Sequence, residues 1–139
     1  NAMQFSVMGR GDPTDVEEFS DAGITVHLNA TDQERDTYLQ NLDVFISLSL
    51  WEGFNLPLVE AQMSGKLAIA LDTGAHPEVT PFIATSIREI ASFLEVLETN
   101  RALLLQYSKS AQDYCTRTYT WEKAANLTSK WLKIDCGLS

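Results

Sequence analysis

The sequence predicts a doubly wound α/β domain, in which helices cover both faces of a parallel sheet. Short apolar runs of strand length, the clearest of them residues 44–50 and 67–71, alternate along the chain with helix-like segments. These runs are apolar on both faces, which is typical of parallel strands that helices bury on both sides. The chain has 139 residues, of which 45% are hydrophobic, so we expect one ordinary domain with a buried core.

The first part of the chain predicts two strands and two helices. Residues 5–8 are β-prone, and a loop separates them from a helix over residues 14–22 that ends before a glycine. Residues 24–28 form the next predicted strand. Thr31 and Glu34 have the spacing of a capping box, so a helix is expected from there to about residue 41.

The middle of the chain predicts strands over residues 44–50 and 67–71, with a shorter one over residues 81–83. A helix over residues 57–64 lies between the two longer strands. Proline is tolerated in a first helical turn, and Gly65 suits the end of this helix.

Three helices are expected in the last part of the chain. Ser86 and Glu89 repeat the capping-box spacing before a helix that ends near residue 98. The other two helices cover residues 101–116 and 121–134. In a doubly wound sheet, ligands bind where the loops gather at the carboxyl ends of the strands. The loops that follow the predicted strands are therefore the place to look for function.

Charge and composition exclude several classes of function. Ten basic and nineteen acidic residues give a net charge of −9, which argues against a nucleic-acid binder and against an anionic membrane surface as partner. We take residues 1–2 as a tag remnant and residues 3–139 as a single domain. Cys115 and Cys136 match no metal-site spacing, and Cys115 is expected to be a small buried residue in a helix. A cytoplasmic protein is expected.

The segment that leaves the strand over residues 44–50 carries the strongest functional signal. Glu52 is a carboxylate at the carboxyl end of this strand, and the backbone N–H groups of Gly53, Phe54, Asn55 and Leu56 lie at a helix N-terminus that suits a phosphate or a sugar oxygen. Glu60 is expected in the first turn of the helix. Two ionised carboxylates accept hydrogen bonds, which suits vicinal hydroxyl groups.

This segment resembles the Glu-x7-Glu signature of the family 4 retaining glycosyltransferases. The matching run is EGFNLPLVEAQMSG, residues 52–65. Leu67 to Ala70, the Pro77-Glu78 turn and the segment YTWE at residues 119–122 resemble later parts of the same family, so the likeness covers nearly the whole chain. The resemblance implies the C-terminal, Rossmann-like domain of a two-domain (GT-B) enzyme, which binds the nucleotide sugar.

The resemblance also implies roles for individual residues. Glu52 has the catalytic position and orients the transferred sugar, whereas Glu60 binds the ribose. The backbone of Gly53, Phe54, Asn55 and Leu56 holds sugar hydroxyls and the diphosphate, and residues 27–30 lie near the base. The reaction implied needs no metal and no cofactor, and no Asp-x-Asp pair occurs in the sequence. The acceptor implied is a sugar or a lipid-linked acceptor.

Two departures from the family pattern limit this interpretation. Asn55 stands where the family usually has glycine. The basic residues that neutralise the diphosphate normally follow the first strand of this domain, and the sequence here starts at what resembles the second strand. We therefore expect a fragment that lacks its first strand and helix and the N-terminal acceptor domain. Such a fragment is expected to be inactive alone and to self-associate, and the full-length enzyme could contact the inner membrane peripherally.

Each singled-out residue also has a plainer interpretation. Glu52 could be a solvated loop residue. Glu60 could only stabilise the helix N-terminus through its electrostatic interaction with the helix dipole. His76, beside Pro77, is expected to be a solvated loop histidine, with a catalytic proton relay as the less favoured alternative. Trp51 could form a wall of the pocket or pack on the sheet. Trp121 and Trp131 indicate core or interface contacts.

The sequence is compatible with two functions from different classes. The first is the donor-binding half of a glycosyltransferase that transfers a hexose. The second is a non-catalytic, transferase-like module that binds a nucleotide or a protein. Asn55 and the missing basic pair favour the module.

Overall fold

The computed structural model describes residues 3–136, without the side chains of Asp15 and of residues 133–136. The predicted tag remnant and the side chain of Cys136 lie outside the described residues. Within residues 3–136, five strands and seven α-helices follow in the order β1 (Ser6–Gly9), α1 (Glu17–Asp21), β2 (Thr25–Leu28), α2 (Asp32–Asn41), β3 (Val44–Ser47), α3 (Leu56–Met63), β4 (Leu67–Leu71), α4 (His76–Val79), β5 (Ile83–Ala84), α5 (Ile87–Thr99), α6 (Arg101–Thr118) and α7 (Trp121–Cys136).

The chain divides into two compact units, the first of which ends at Leu42. In this first unit β1 and β2 pair in parallel, with Ser6 opposite Thr25. A short 3₁₀ helix over Pro13–Val16 precedes α1. The predicted capping box at α2 is confirmed: the Thr31 hydroxyl accepts from the Glu34 N–H, and the Glu34 carboxylate accepts from the Thr31 N–H at 2.8 Å.

The second unit, from Asp43 onwards, contains a three-stranded parallel sheet in the order β3-β4-β5. All five residues of the central strand β4 are buried. Leu67, Ile69 and Leu71 share one face of the strand and form a hydrophobic cluster with residues of α5 and α6. Further buried members of the cluster are Ala84, Ile90, Leu94, Leu97 and Leu104.

The α/β fold class is confirmed, with parallel strands and helices on both sides. The prediction for β3 was too long, because only Val44–Ser47 pair with β4 and the chain leaves the sheet at Leu48. The second capping box is only half formed. Ser86 accepts from the Glu89 N–H, but the Glu89 carboxylate accepts from the N–H and hydroxyl of Thr85 instead of from Ser86.

The last helix, α7, was expected to bury tryptophans, but the structure shows them exposed. Trp121 is 92% and Trp131 is 63% exposed, and every described side chain from Trp121 to Leu132 is exposed. Core packing is therefore wrong for both tryptophans, and the interface interpretation stays a prediction. Cys115, by contrast, is fully buried in α6, as expected.

Candidate functional site

The loop between β3 and α3, residues 48–55, lies at the carboxyl end of β3; we call it the Glu52 loop. It begins after the buried Ser47, and α3 follows at Leu56 with proline in its first turn, as predicted. Glu52 and Asn55 are half-buried, whereas Gly53, Phe54 and Leu56 are exposed. The loop thus presents one partly sheltered carboxylate beside the N-terminus of a helix.

Trp51 is 89% exposed. Packing on the sheet, one of its two predicted roles, is therefore wrong. A role as a wall of a ligand pocket remains a prediction.

Asn55 fixes the start of α3 in an unusual backbone conformation. Its φ of 67° and ψ of 71° lie in the left-handed region, which glycine adopts freely and asparagine tolerates better than most other residues. Its Oδ1 atom accepts from the Leu58 N–H at 3.2 Å, which caps the helix. Asparagine thus supports a backbone conformation for which glycine is the usual choice.

The other end of the Asn55 amide lies among three acceptors. Its Nδ2 atom is 2.8 Å from the Ser47 Oγ, 3.0 Å from the His76 Nε2 and 3.3 Å from the Glu52 Oε1. The Ser47 Oγ is itself 3.2 Å from the His76 Nε2. These contacts form a hydrogen-bond network between the end of β3, the Glu52 loop and α4, which we call the Asn55 network.

His76 is completely buried, so the expectation of a solvated loop histidine is wrong. Its Nδ1 atom is 2.8 Å from the carbonyl oxygen of Leu71, the last residue of β4. Both ring nitrogens are therefore hydrogen-bonded, which offsets the cost of burying a polar ring. The sequence did contain a signal for this arrangement. His76 follows β4 by five residues, and Ser47 ends β3, so both lie at the carboxyl edge of one parallel sheet.

The backbone of Glu52 is held from the side of β4. The carbonyl oxygen of Glu52 accepts from the Ala75 N–H at 3.3 Å. Gly74 has a φ of 54°, and a Cβ atom there would lie 2.3 Å from the same oxygen. Only a residue without a side chain therefore fits at position 74 against the backbone of Glu52.

Glu60 lies just beyond the first turn of α3, one residue further from the helix start than expected. The helix begins at Leu56, so Glu60 is its fifth residue, and the first turn holds no acidic residue. The prediction of a first-turn position was wrong because it counted from Pro57. The dipole effect falls off within the first turn, so this electrostatic explanation of Glu60 loses force. Its carboxyl-bearing side chain is half-buried.

Two tyrosines connect α6 and the segment before α7 to the α4 turn. The hydroxyl groups of Tyr114 and Tyr119 both donate to the carbonyl oxygen of Glu78, at 2.7 Å for Tyr114. Partial burial, together with neighbouring groups that include Tyr114, raises the pKa of Tyr119 to about 12. The Tyr119 ring also meets Phe54 of the Glu52 loop edge-on, with ring centroids 5.3 Å apart. The aromatic segment noted in the sequence thus supports the loop.

Other candidate features of the sequence lie elsewhere. His27 is exposed in the first unit, where its ring contacts Tyr38 edge-on at 5.2 Å. Its predicted place near the base stays a prediction. A cavity of about 430 Å³ beside β5 and α5 is lined mainly by apolar residues such as Phe82 and Phe93, and none of the predicted site residues lines it.

Residues 3–136 contain neither a cluster of metal-ligating side chains nor a membrane-spanning helix. Within residues 3–136, no group of three or more His, Cys, Asp or Glu side chains lies close enough together to hold a metal ion. None of the helices in that range is both long and apolar enough to cross a membrane.

The same fold occurs within solved structures of other proteins. Sucrose-phosphate synthase from Thermosynechococcus elongatus superimposes on 98% of this chain with a TM-score of 0.77 and 18% identity, and 39% of that protein is covered. HepE from Anabaena, in complex with UDP, matches 86% of this chain with a TM-score of 0.69 and 15% identity, and 35% of its chain is covered. At these identities the similarity shows the fold alone.

The sequence comparison adds the family. The sequence model described as "Glycosyl transferases group 1" matches residues 1–101, and the chain belongs to this family. The GPI3 subunit of phosphatidylinositol N-acetylglucosaminyltransferase from Saccharomyces cerevisiae is 32% identical over 100 residues, which are 68% of this chain. The chain spans only 22% of the length of that relative.

Proposed function

We propose that this chain is the donor-binding domain of a retaining family 4 glycosyltransferase. The enzyme would transfer a hexose from a nucleotide-diphosphate sugar to a glycan or a lipid-linked acceptor. The observation that carries the proposal is the Glu52 loop itself. It sets the half-buried Glu52 beside the N-terminus of α3, with its backbone packed against Gly74 and its carboxylate 3.3 Å from the Asn55 amide. The name of the yeast relative and the UDP in the HepE structure support the substrate class.

Each part of the loop suits one part of such a donor. The half-buried carboxylate of Glu52 accepts hydrogen bonds from hydroxyl groups of the transferred sugar. The positive end of α3 and the exposed backbone of Gly53, Phe54 and Leu56 favour the diphosphate. Glu60, one turn further along the helix, accepts from the ribose hydroxyls. The protein would act by positioning the donor and by stabilising the charge that develops on the departing diphosphate.

The left-handed conformation of Asn55 bears on the rival function. A non-catalytic module was favoured by asparagine at the usual glycine position. Since Asn55 has a φ that glycine adopts freely, the substitution is compatible with the same loop backbone. The sequence encoded directly upstream distinguishes the two: a first strand with Arg and Lys after a further α/β domain supports the enzyme.

Two further parts of the proposal concern metal and location. We expect donor binding to need no metal, so excess EDTA should leave the affinity unchanged, whereas a loss of binding would contradict this. The yeast relative carries phosphatidylinositol in its name, which supports peripheral contact between the longer protein and a membrane. The cytoplasmic location stays a prediction.

A ligand-observed NMR titration with UDP, GDP and ADP tests the donor site. One nucleotide should bind. Glu60→Gln should lower its affinity about tenfold or more, because a hydrogen bond to a charged group is worth about 1.5–3 kcal/mol. Glu95→Gln, an exposed change of the same charge on α5, is the matched control and should bind as the wild type. Equal affinity for all three nucleotides, unaffected by Glu60→Gln, would contradict the donor site.

A further inference from the structure

The buried ring of His76 has a defined hydrogen-bonding direction. A carbonyl oxygen can only accept, so the Nδ1 atom facing the Leu71 oxygen carries the hydrogen. In the neutral ring the Nε2 atom is then an acceptor. His76 therefore offers a lone pair to the end of the Asn55 amide that lies 3.0 Å away.

This lone pair fixes the orientation of the Asn55 amide. An amide has a donor end and an acceptor end, and its partners decide which end points where. The Leu58 N–H requires the oxygen of Asn55 on the helix side, and the His76 Nε2 requires the nitrogen on the other side. Both requirements agree, so the amide has one orientation.

The fixed amide has a consequence for Glu52. Its NH₂ group shares two hydrogens among three neighbours, the Ser47 Oγ, the His76 Nε2 and the Glu52 Oε1, which is 3.3 Å away. The Glu52 carboxylate thus accepts a shared hydrogen from a donor that cannot turn away. The backbone of the loop is already held by Gly74 and Ala75, and the Asn55 amide adds a constraint on the side chain. The ring of His76 is fully buried and touches Asn55 and Ser47, so it acts on Glu52 only through them.

We infer that His76 is a positioning residue that, through the Asn55 amide, orients the Glu52 carboxylate toward the sugar of the donor. This inference rests on the proposed function. It assigns His76 no contact with substrate and no proton transfer. Glu52 is assigned to the transferred sugar and Glu60 to the ribose. The loss of His76 should therefore weaken the binding of the sugar and leave the binding of the nucleotide unchanged.

The test compares the dissociation constants for UDP and UDP-N-acetylglucosamine, or the corresponding GDP or ADP pair if the titration above selects that base. In the wild type the attached sugar should strengthen binding relative to the nucleotide. His76→Leu replaces the imidazole by an apolar side chain of similar size. It removes the hydrogen bonds of both ring nitrogens. This variant should weaken the binding of the nucleotide sugar about three- to tenfold, because a lost hydrogen bond costs about 0.5–1.5 kcal/mol. Binding of the nucleotide alone should change less than twofold.

Two variants separate positioning from folding. His76→Gln can place an oxygen near the former Nε2 position. It should therefore recover most of the affinity that the attached sugar adds to nucleotide binding. Asn55→Gly keeps the left-handed backbone without strain and removes the amide, so it should lose the sugar contribution even if His76→Leu does not fold. Nitrogen-15 NMR of the wild-type imidazole should show the Nδ1–H tautomer.

The outcomes are distinguishable. A wild type that binds neither ligand contradicts the proposed function and removes the basis of the inference. A wild type that binds both, with an unchanged ratio of affinities in Asn55→Gly and in folded His76→Leu, contradicts the positioning role alone. Equal weakening of both ligands would show a structural role instead, and it would also overturn the inference.

Discussion

Gly74 lies so close to the backbone of Glu52 that no side chain fits between them. A Cβ atom at position 74 would be 2.3 Å from the Glu52 carbonyl oxygen and 3.1 Å from its amide nitrogen. The contacting atoms are backbone, which cannot move aside as the end of a long side chain can. The loop after β4 therefore sets the position of the Glu52 loop after β3, and two loops far apart in sequence form one site.

The first prediction concerns this contact. Gly74→Ala should lower the free energy of unfolding by about 2–4 kcal/mol, through overpacking and through the cost of a left-handed φ. Urea denaturation measures the change. Gly9→Ala is the control, because a Cβ atom there meets nothing within 4 Å and should be tolerated. Equal stability of Gly74→Ala and the wild type would show that the two loops are not packed in this way.

Tyr119 gives a prediction about pH. Its pKa is raised from 10.0 to about 12, first because burial disfavours the phenolate. A raised pKa means that the folded state holds the proton more tightly than the unfolded state. The stabilisation is thus complete below pH 10 and is lost as the pH rises toward 12. Tyr119→Phe should lower the free energy of unfolding at pH 8 by about 0.5–1.5 kcal/mol, through the lost hydrogen bond to Glu78.

Denaturation at a series of pH values from 8 to 11.5 measures this effect. The difference between wild type and Tyr119→Phe should shrink above pH 10. Tyr107→Phe serves as the comparison, since the ring of Tyr107 packs on the hydrophobic cluster. A difference that stays constant up to pH 11.5 would contradict the assigned pKa.

Cys115 is expected to be chemically inert in the folded protein. The side chain is fully buried, and desolvation raises its pKa, so little of the reactive thiolate is present. In a Cys136→Ser background, alkylation at pH 8 should be slow without denaturant and should accelerate through the urea unfolding transition. Mass spectrometry follows the reaction. Rapid labelling of the folded protein would contradict the burial of α6 at this position.

The apolar side of α7 predicts association. Trp121, Leu127, Trp131 and Leu132 are all more than half exposed and lie on one side of the helix. We expect this stripe to mediate self-association of the chain at high concentration. Trp131→Gln should shift the species seen by light scattering toward the monomer, whereas Ser129→Gln, on the opposite side, should not. A monodisperse wild-type monomer would contradict the prediction.

The order and type of the elements followed from local patterns in the sequence. The two capping residues, Thr31 and Ser86, act on backbone groups three residues away, and the apolar runs of β3 and β4 report burial directly. The Glu52 loop could be located as well, because a parallel topology brings the carboxyl ends of strands to one edge. Those signals are local in the chain, so a single sequence carries them.

Tertiary packing set the burial of His76 and the exposure of Trp121. His76 is buried because the α4 turn folds back over the ends of β3 and β4. The sequence places His76 at this edge of the sheet but does not show that the turn covers it. The exposure of Trp121 depends on what packs against α7, not on its apolar pattern. Contacts between distant segments, such as Gly74 with Glu52, arise from packing, and a local pattern cannot specify their distance.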